Sequence, residues 1–157
     1  MRTILIGLGN PILSDDGVGL EVVRRFCQTP DLASRADTLE LGAGGLRLME
    51  AMVGYDQAIV VDAMETGSSV PGTVIEFSID SVSTTRNISC SHDSSLGHAV
   101  STGQALGLKL PRRMQILGIE AGDVETFSET LTPEVEQAVP LALTTIARFL
   151  EEWTTNP

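Results

Sequence analysis

TILIGLGNPILSDDGVGLEVVRRFC, residues 3–27, decides the fold class. Thr3 to Leu8 is a short apolar run stopped by Gly9, as in a buried strand; from Gly19 onward Leu20, Val23 and Cys27 recur at helical spacing. The stretch predicts strand, turn and helix, and the alternation continues downstream. Asp37 to Leu41 predicts a second strand, ended by the glycines at 42, 44 and 45, after which Leu48, Met49 and Met52 give helical spacing over Leu46 to Val53. QAIVVDA, Gln57 to Ala63, has the continuous apolar centre of a strand covered on both faces. Gly67, Pro71 and Gly72 mark a turn into TVIEFSI, Thr73 to Ile79, whose alternation predicts an edge strand. Ser94 to Leu108 predicts a helix and RMQILGIE, Arg113 to Glu120, a further strand. In the last helix Thr132 is the expected cap and Pro133 the first residue; Val135, Val139, Ala142, Ile146, Phe149 and Trp153 form the buried face. Strands and helices alternating in this way imply one domain over 1–157 with a three-layer α/β fold: a mostly parallel, twisted sheet with helices on both faces. Ligands of such folds gather beyond the carboxyl ends of the strands, near the point where strand order reverses.

The bulk numbers narrow the function. A hydrophobic content of 42% with 20% charged residues suits a soluble globular protein, and no segment approaches the ~18 apolar residues of a membrane span. No membrane insertion is expected, and the apolar N-terminus reads as a first strand rather than a signal peptide. Cys27 and Cys90 lie far apart, which favours a reduced, cytoplasmic setting without a disulfide. A net charge of −11 speaks against nucleic acid as a partner, because phosphate backbones are bound by clustered Lys and Arg.

GLGNPILSDDGVG, Gly7 to Gly19, superficially resembles a dinucleotide fingerprint. It fails as one, since Ile12 stands where the pattern needs glycine and Pro11 interrupts the turn. Asp15 and Asp16 precede the first helix, where carboxylates can cap free amides. Gly17 and Gly19, each unfavourable in a helix by about 1 kcal/mol, suggest in addition that something approaches the backbone there. Asp62 ends an apolar strand, where an ionised carboxylate must be paired, hydrogen-bonded or metal-bound; capping of the next turn is the alternative. Asp80 to Ser91 is rich in Ser and Thr and reads as a mobile surface loop closed by His92, an imidazole near a helix start and so inclined to be neutral and ligand-competent. His98, on the following helix, is the reserve imidazole, and Cys90 reads as packing. Two carboxylates and one imidazole make a borderline oxygen-and-nitrogen site for a first-row metal. No G-x-S-x-G or H-E-x-x-H motif is present.

Taken together, GLGNPILSDDGVG, Gly44-Gly45-Leu46, VVDAM around Asp62, PGTV at Pro71 to Val74, SHDSSL around His92 and GIEAGDVETFSETLTPEV near the end resemble the hydrogenase maturation proteases over nearly the whole chain. That resemblance implies a nickel–iron hydrogenase large-subunit precursor as partner and a cut that removes its C-terminal extension after nickel insertion. It implies Asp16, Asp62 and His92 as the residues that meet the nickel, with Asp93 and Leu96 in the places that accompany the histidine. Asp15 and Asn10 could assist. The nickel would come with the substrate, and no tightly bound cofactor of the protein's own is expected. Two rivals share parts of the pattern. Peptidyl-tRNA hydrolase has a similar GLGNP opening but needs a histidine soon after it and a basic surface; a non-catalytic nucleotide-binding module is the other.

Overall fold

The computed structural model describes residues 1–42, 44–77, 79, 86–87 and 96–155. Five strands form one sheet: β1 (Thr3–Leu8), β2 (Asp37–Leu41), β3 (Gln57–Met64), β4 (Val74–Phe77) and β5 (Arg113–Glu120). Their spatial order is β2-β1-β3-β5-β4. All neighbours run parallel except β4, which lies antiparallel on β5 at the edge, with Val74 opposite Ile119 and Phe77 opposite Ile116. The alternating run at Thr73 to Ile79 thus contains an edge strand, as its pattern predicts, over Val74–Phe77.

Helices cover both faces, which explains why β1 and β3 are buried along their length and mostly apolar. Leu5, Ile59, Val61, Ala63, Leu117 and Ile119 pack beneath α1 (Val18–Cys27) and α5 (Pro133–Thr155), whose Val22, Phe26, Val139, Ile146 and Phe149 fill that layer. The alternate residues Ile4, Ile6, Leu8, Ala58, Val60 and Ile116 face the other way, towards Leu48 and Met49 of α3 (Gly45–Ala51) and Ala99 and Val100 of α4 (Leu96–Ala105). A short α2 (Pro30–Ala33) links α1 to β2. No helix among the described residues is long and apolar enough to cross a membrane.

The topology creates the crevice. From β1 the chain goes to β2 on one side, then returns past β1 to place β3 on the other. The connections leaving β1 and β3 therefore diverge at their carboxyl ends, the usual place for a ligand in an open parallel sheet. Gly19 lets α1 lie tight over this junction. A side-chain carbon there would collide with the carbonyl oxygens of Val61 and Leu8, so what approaches the glycine is the sheet itself rather than a ligand.

Candidate functional site at the carboxyl edge of β1 and β3

Among the described residues, four acidic ones at the carboxyl end of the sheet are buried: Asp15, Asp16, Asp62 and Glu120. Their surroundings divide them into two braces and two facing carboxylates.

Asp15 and Asp16 lie in a single 3-10 turn, Ser14–Gly17, between β1 and α1. Neither caps α1: Gly17 holds the cap position, and no side chain bonds to the free amides there. This corrects the capping expectation. The Asp15 carboxylate instead reaches across to the β5–α5 connection, accepting from the backbone N–H groups of Gly122 (2.8 Å), Asp123 (2.9 Å) and Thr132 (2.7 Å) and from the Thr132 hydroxyl (2.9 Å). The hydroxyl expected to cap α5 is thus turned to Asp15, while the Thr132 carbonyl accepts the Glu136 amide at 2.9 Å. Backbone bonds from Ser14 N to Ser128 O (2.8 Å) and from Asp15 N to Asp123 O (2.9 Å) complete the seam. They hold Ser14 at φ 48°, a left-handed conformation unusual for a residue with a side chain. Glu120, at the end of β5, accepts from Thr66 N (3.0 Å), Thr66 Oγ1 (2.9 Å) and Gly67 N (2.9 Å), which secures the chain leaving β3. Asp15 and Glu120 are both fully engaged by donors of the scaffold, which leaves the assisting role expected of Asp15 without support in the geometry.

Asp16 points the other way. Its Oδ2 accepts the Asn10 amide at 2.9 Å, which ties it to the GN turn after β1. Its Oδ1 accepts Arg86 Nε at 2.9 Å and Asn87 Nδ2 at 3.0 Å. Asp62 lies within β3 and is wholly buried; by strand alternation it falls on the face of Ala58 and Val60, the α3–α4 side of the sheet. Its Oδ1 accepts the same Asn87 Nδ2 at 2.8 Å and its Oδ2 accepts the Asn87 backbone N–H at 2.8 Å. One amide group thus joins the two carboxylates, each of its hydrogens serving one of them. Arg86 is anchored through its own backbone, whose N–H donates to Ala63 O at 2.8 Å, and its guanidinium also pairs with Glu65. Burial works against the charge on Arg86, but Glu65 and Asp16 outweigh it and hold its pKa above the ordinary value.

The structure therefore brings Asp16 and Asp62 together, as the strand-end reading expects, and adds Arg86 and Asn87. Neither was expected from sequence: both fall in Asp80 to Ser91, read as a mobile surface loop, yet Asn87 is only 9% exposed. The signal available was a donor-rich Arg-Asn pair ahead of His92 in an otherwise Ser/Thr-rich segment. His92 lies outside the described residues, as do Cys90 and Asp93. His98, the reserve imidazole, is on an exposed face of α4. Among the described residues, no group of three His, Cys, Asp or Glu side chains is placed to hold a metal ion.

A buried pair of carboxylates at a switch point suits a divalent cation in its donor chemistry, oxygen ligands that balance positive charge. The family model for hydrogenase maturation protease matches residues 20–149. The hydrogenase expression/formation protein HupD of Rhizobium leguminosarum bv. viciae is 29% identical over 97% of this chain and 75% of its own length. The hydrogenase 2 maturation protease of Escherichia coli (strain K12) is 28% identical over 97% of this chain and 92% of its own. The solved structure of the hydrogenase maturating endopeptidase HybD from E. coli superposes with a TM-score of 0.75 at 25% identity, covering 97% of this chain and 93% of that one. The [NiFe] hydrogenase maturation protease HybD from Thermococcus kodakarensis, at 22% identity and a TM-score of 0.67, has the same fold over 96% of this chain and 99% of its own. Both the matched span and the fold place this chain in the hydrogenase maturation protease family, and it is an endopeptidase of that kind.

Proposed function

We propose that this endopeptidase removes the C-terminal extension of a nickel–iron hydrogenase large-subunit precursor once nickel is in place, and that Asp16, Asp62 and His92 meet the nickel that the precursor carries. The observation that carries this reading is the pair of buried carboxylates from two separate strand-end segments, Asp16 at 2% exposure and Asp62 at 0%, converging on one amide. Two such charges side by side are costly to bury; Arg86 pairs with Asp16, and an incoming divalent cation would balance both. The nickel is substrate, not a resident cofactor of the protein. It reaches the site still held by the precursor's own ligands and gains the two carboxylates and the imidazole of His92 as outer ligands. That contact docks the peptide beside it, and water attacks the scissile carbonyl. The protein's contribution is placement: Asn10 and Asn87 fix the carboxylates, and the Asp15 seam fixes the turn that carries Asp16.

Family membership sets aside the esterase and nucleotide-binding alternatives for the GLGNP opening. The acidic balance of the chain, −11 overall, speaks against a part for nucleic acid. Incubation of the purified protein with nickel-loaded and nickel-free precursor tests the reading. Cleavage of the loaded form alone is expected; equal cleavage of both would remove nickel from recognition.

A further inference from the structure

The carboxylates that await nickel are already occupied by the protein itself. Arg86 donates Nε to Asp16 Oδ1 at 2.9 Å, and Asn87 spans Asp16 Oδ1 and Asp62 Oδ1 at 3.0 and 2.8 Å. The two residues differ in what they offer. Asn87 is neutral and bonds to both aspartates, so it sets their separation and orientation. Arg86 brings a permanent positive charge, 31% exposed, to the oxygen of Asp16 that faces Asp62 through the shared amide. A metal ion bonds a carboxylate oxygen at about 2.0–2.2 Å. An ion at Asp16 Oδ1 would lie within a few ångströms of the guanidinium and could bind only if Arg86 withdrew, since the two positive groups repel at that range. Withdrawal is open to Arg86 because its second carboxylate, Glu65, lies on the more exposed side.

We propose that Arg86 is a specificity-determining residue: an internal cation that competes with free divalent ions for Asp16, while Asn87 positions Asp16 and Asp62 for the metal that a docked precursor presents. This rests on the reading that Asp16 and Asp62 meet nickel. A free ion must displace Arg86 with its own binding energy alone. Nickel held by a docked precursor draws on the whole protein–protein contact to do so. The protease thereby stays unfilled among free cations yet responds to a loaded substrate.

The test is calorimetric titration of the metal-free protein with cadmium and with nickel, each as the metal alone. Arg86→Gln and Arg86→Met should both bind about tenfold tighter than wild type, because the competing charge is gone, and Arg86→Lys, which keeps the charge, should stay near wild type. Asn87→Ala should bind more weakly. Opposite signs at adjacent residues are not what a loop that merely packs would give. Either neutral variant suffices if its circular dichroism matches wild type. Neutral variants that bind no tighter than wild type, including no measurable binding by any of them, overturn the proposal, as does an Arg86→Lys variant that binds as tightly as Arg86→Gln. Asp62→Asn in the Arg86→Gln background separates this from the underlying reading. Loss of the binding heat there locates the ion at the carboxylates; heat that persists means the ion binds elsewhere and the nickel-site reading itself fails.

Discussion

Asp15 and Thr132 are joined twice, by the Thr132 backbone N–H to Oδ1 at 2.7 Å and by its hydroxyl to Oδ2 at 2.9 Å, across 117 positions of sequence. Next to it, Asp16 makes no bond to that connection and turns to Arg86 and Asn87. Two neighbouring aspartates of one motif therefore have separate partners, one holding the turn to the β5–α5 connection and the other bound to Arg86 and Asn87.

Asp15→Ala is expected to cost stability. It strands donors at Gly122, Asp123 and Thr132 that now converge on a buried carboxylate. Hydrogen bonds to a charged group contribute about 1.5–3 kcal/mol each, though not additively, so a loss of about 3 kcal/mol is reasonable. For a protein of this size that lowers Tm by roughly 6–12 °C. A thermal midpoint within two degrees of wild type would show that the seam is not needed for folding.

Gly19→Ala should be worse tolerated than substitution of an ordinary helical glycine. Alanine is the better helix former by about 1 kcal/mol, yet here its methyl meets the carbonyls of Val61 and Leu8, which are fixed in the sheet. Overpacking against backbone is expected to reach the ~3 kcal/mol upper end of such effects. Urea denaturation decides the sign; a stabilised variant would mean that α1 can lift from β1 and β3 freely.

Asp62→Asn separates site from scaffold. Asp62 is wholly buried in β3, so the change is not free: an amide nitrogen would face one of the two donors of Asn87, at a cost of about 1–3 kcal/mol. The variant should still fold, by circular dichroism, and should process nickel-loaded precursor at least about 100-fold more slowly, beyond the usual effect of changing a group that only supports a ligand. His92→Ala should lose processing with little change in folding. Wild-type cleavage by either variant removes that residue from the site.

The Asp123 carboxyl is held below the ordinary aspartate range, first by the side chain of Thr126 and then by the amides of Thr126 and Glu125, which donate to Oδ1 at 3.0 Å each. A lowered folded-state pKa stabilises the loop at pH above the ordinary value of about 3.9 and gives that stability up as pH falls through the lowered value. In a two-dimensional NMR titration from neutrality to pH 2, the Glu125 and Thr126 amide shifts should move together with a midpoint below that of an exposed aspartate. A midpoint at or above it would contradict the loop geometry.

The fold was open to sequence reading because the signals that define it are local or periodic. The apolar runs at Thr3 to Leu8 and Gln57 to Ala63 are strands covered on both faces, and the spacing in Val135 to Trp153 is that of the buried face of α5. Asp62 was legible for the same reason, as a charge at the end of an apolar run. The duties of Asp15 and Thr132 were not. Side-chain oxygens beside a helix start look like caps in one dimension, and only the return of the β5–α5 connection to the first turn shows that they bond to each other. Asn87 was hidden because a polar residue in a Ser/Thr-rich segment has no periodicity to betray burial, and its importance comes from partners 25 and 71 positions away.

The purified protein should hold at most a loose divalent ion at Asp16, Asp62 and His92. Two carboxylates and one imidazole, with no thiolate, make a modest site, and one of the carboxylates is also paired with Arg86. A protease that reads nickel on its substrate gains from an unfilled site, because a permanently bound ion could not report whether the precursor is loaded. The same ligands should nonetheless take up nickel, zinc or cadmium at high concentration, since such sites choose by availability more than by intrinsic preference. After dialysis against a chelator, metal analysis should give far less than one ion per chain. The chelated protein should cleave nickel-loaded precursor at the undialysed rate with no metal added. Stoichiometric metal that survives chelation, or activity lost on dialysis and restored by zinc, would instead mark a conventional metalloprotease whose ion activates the attacking water.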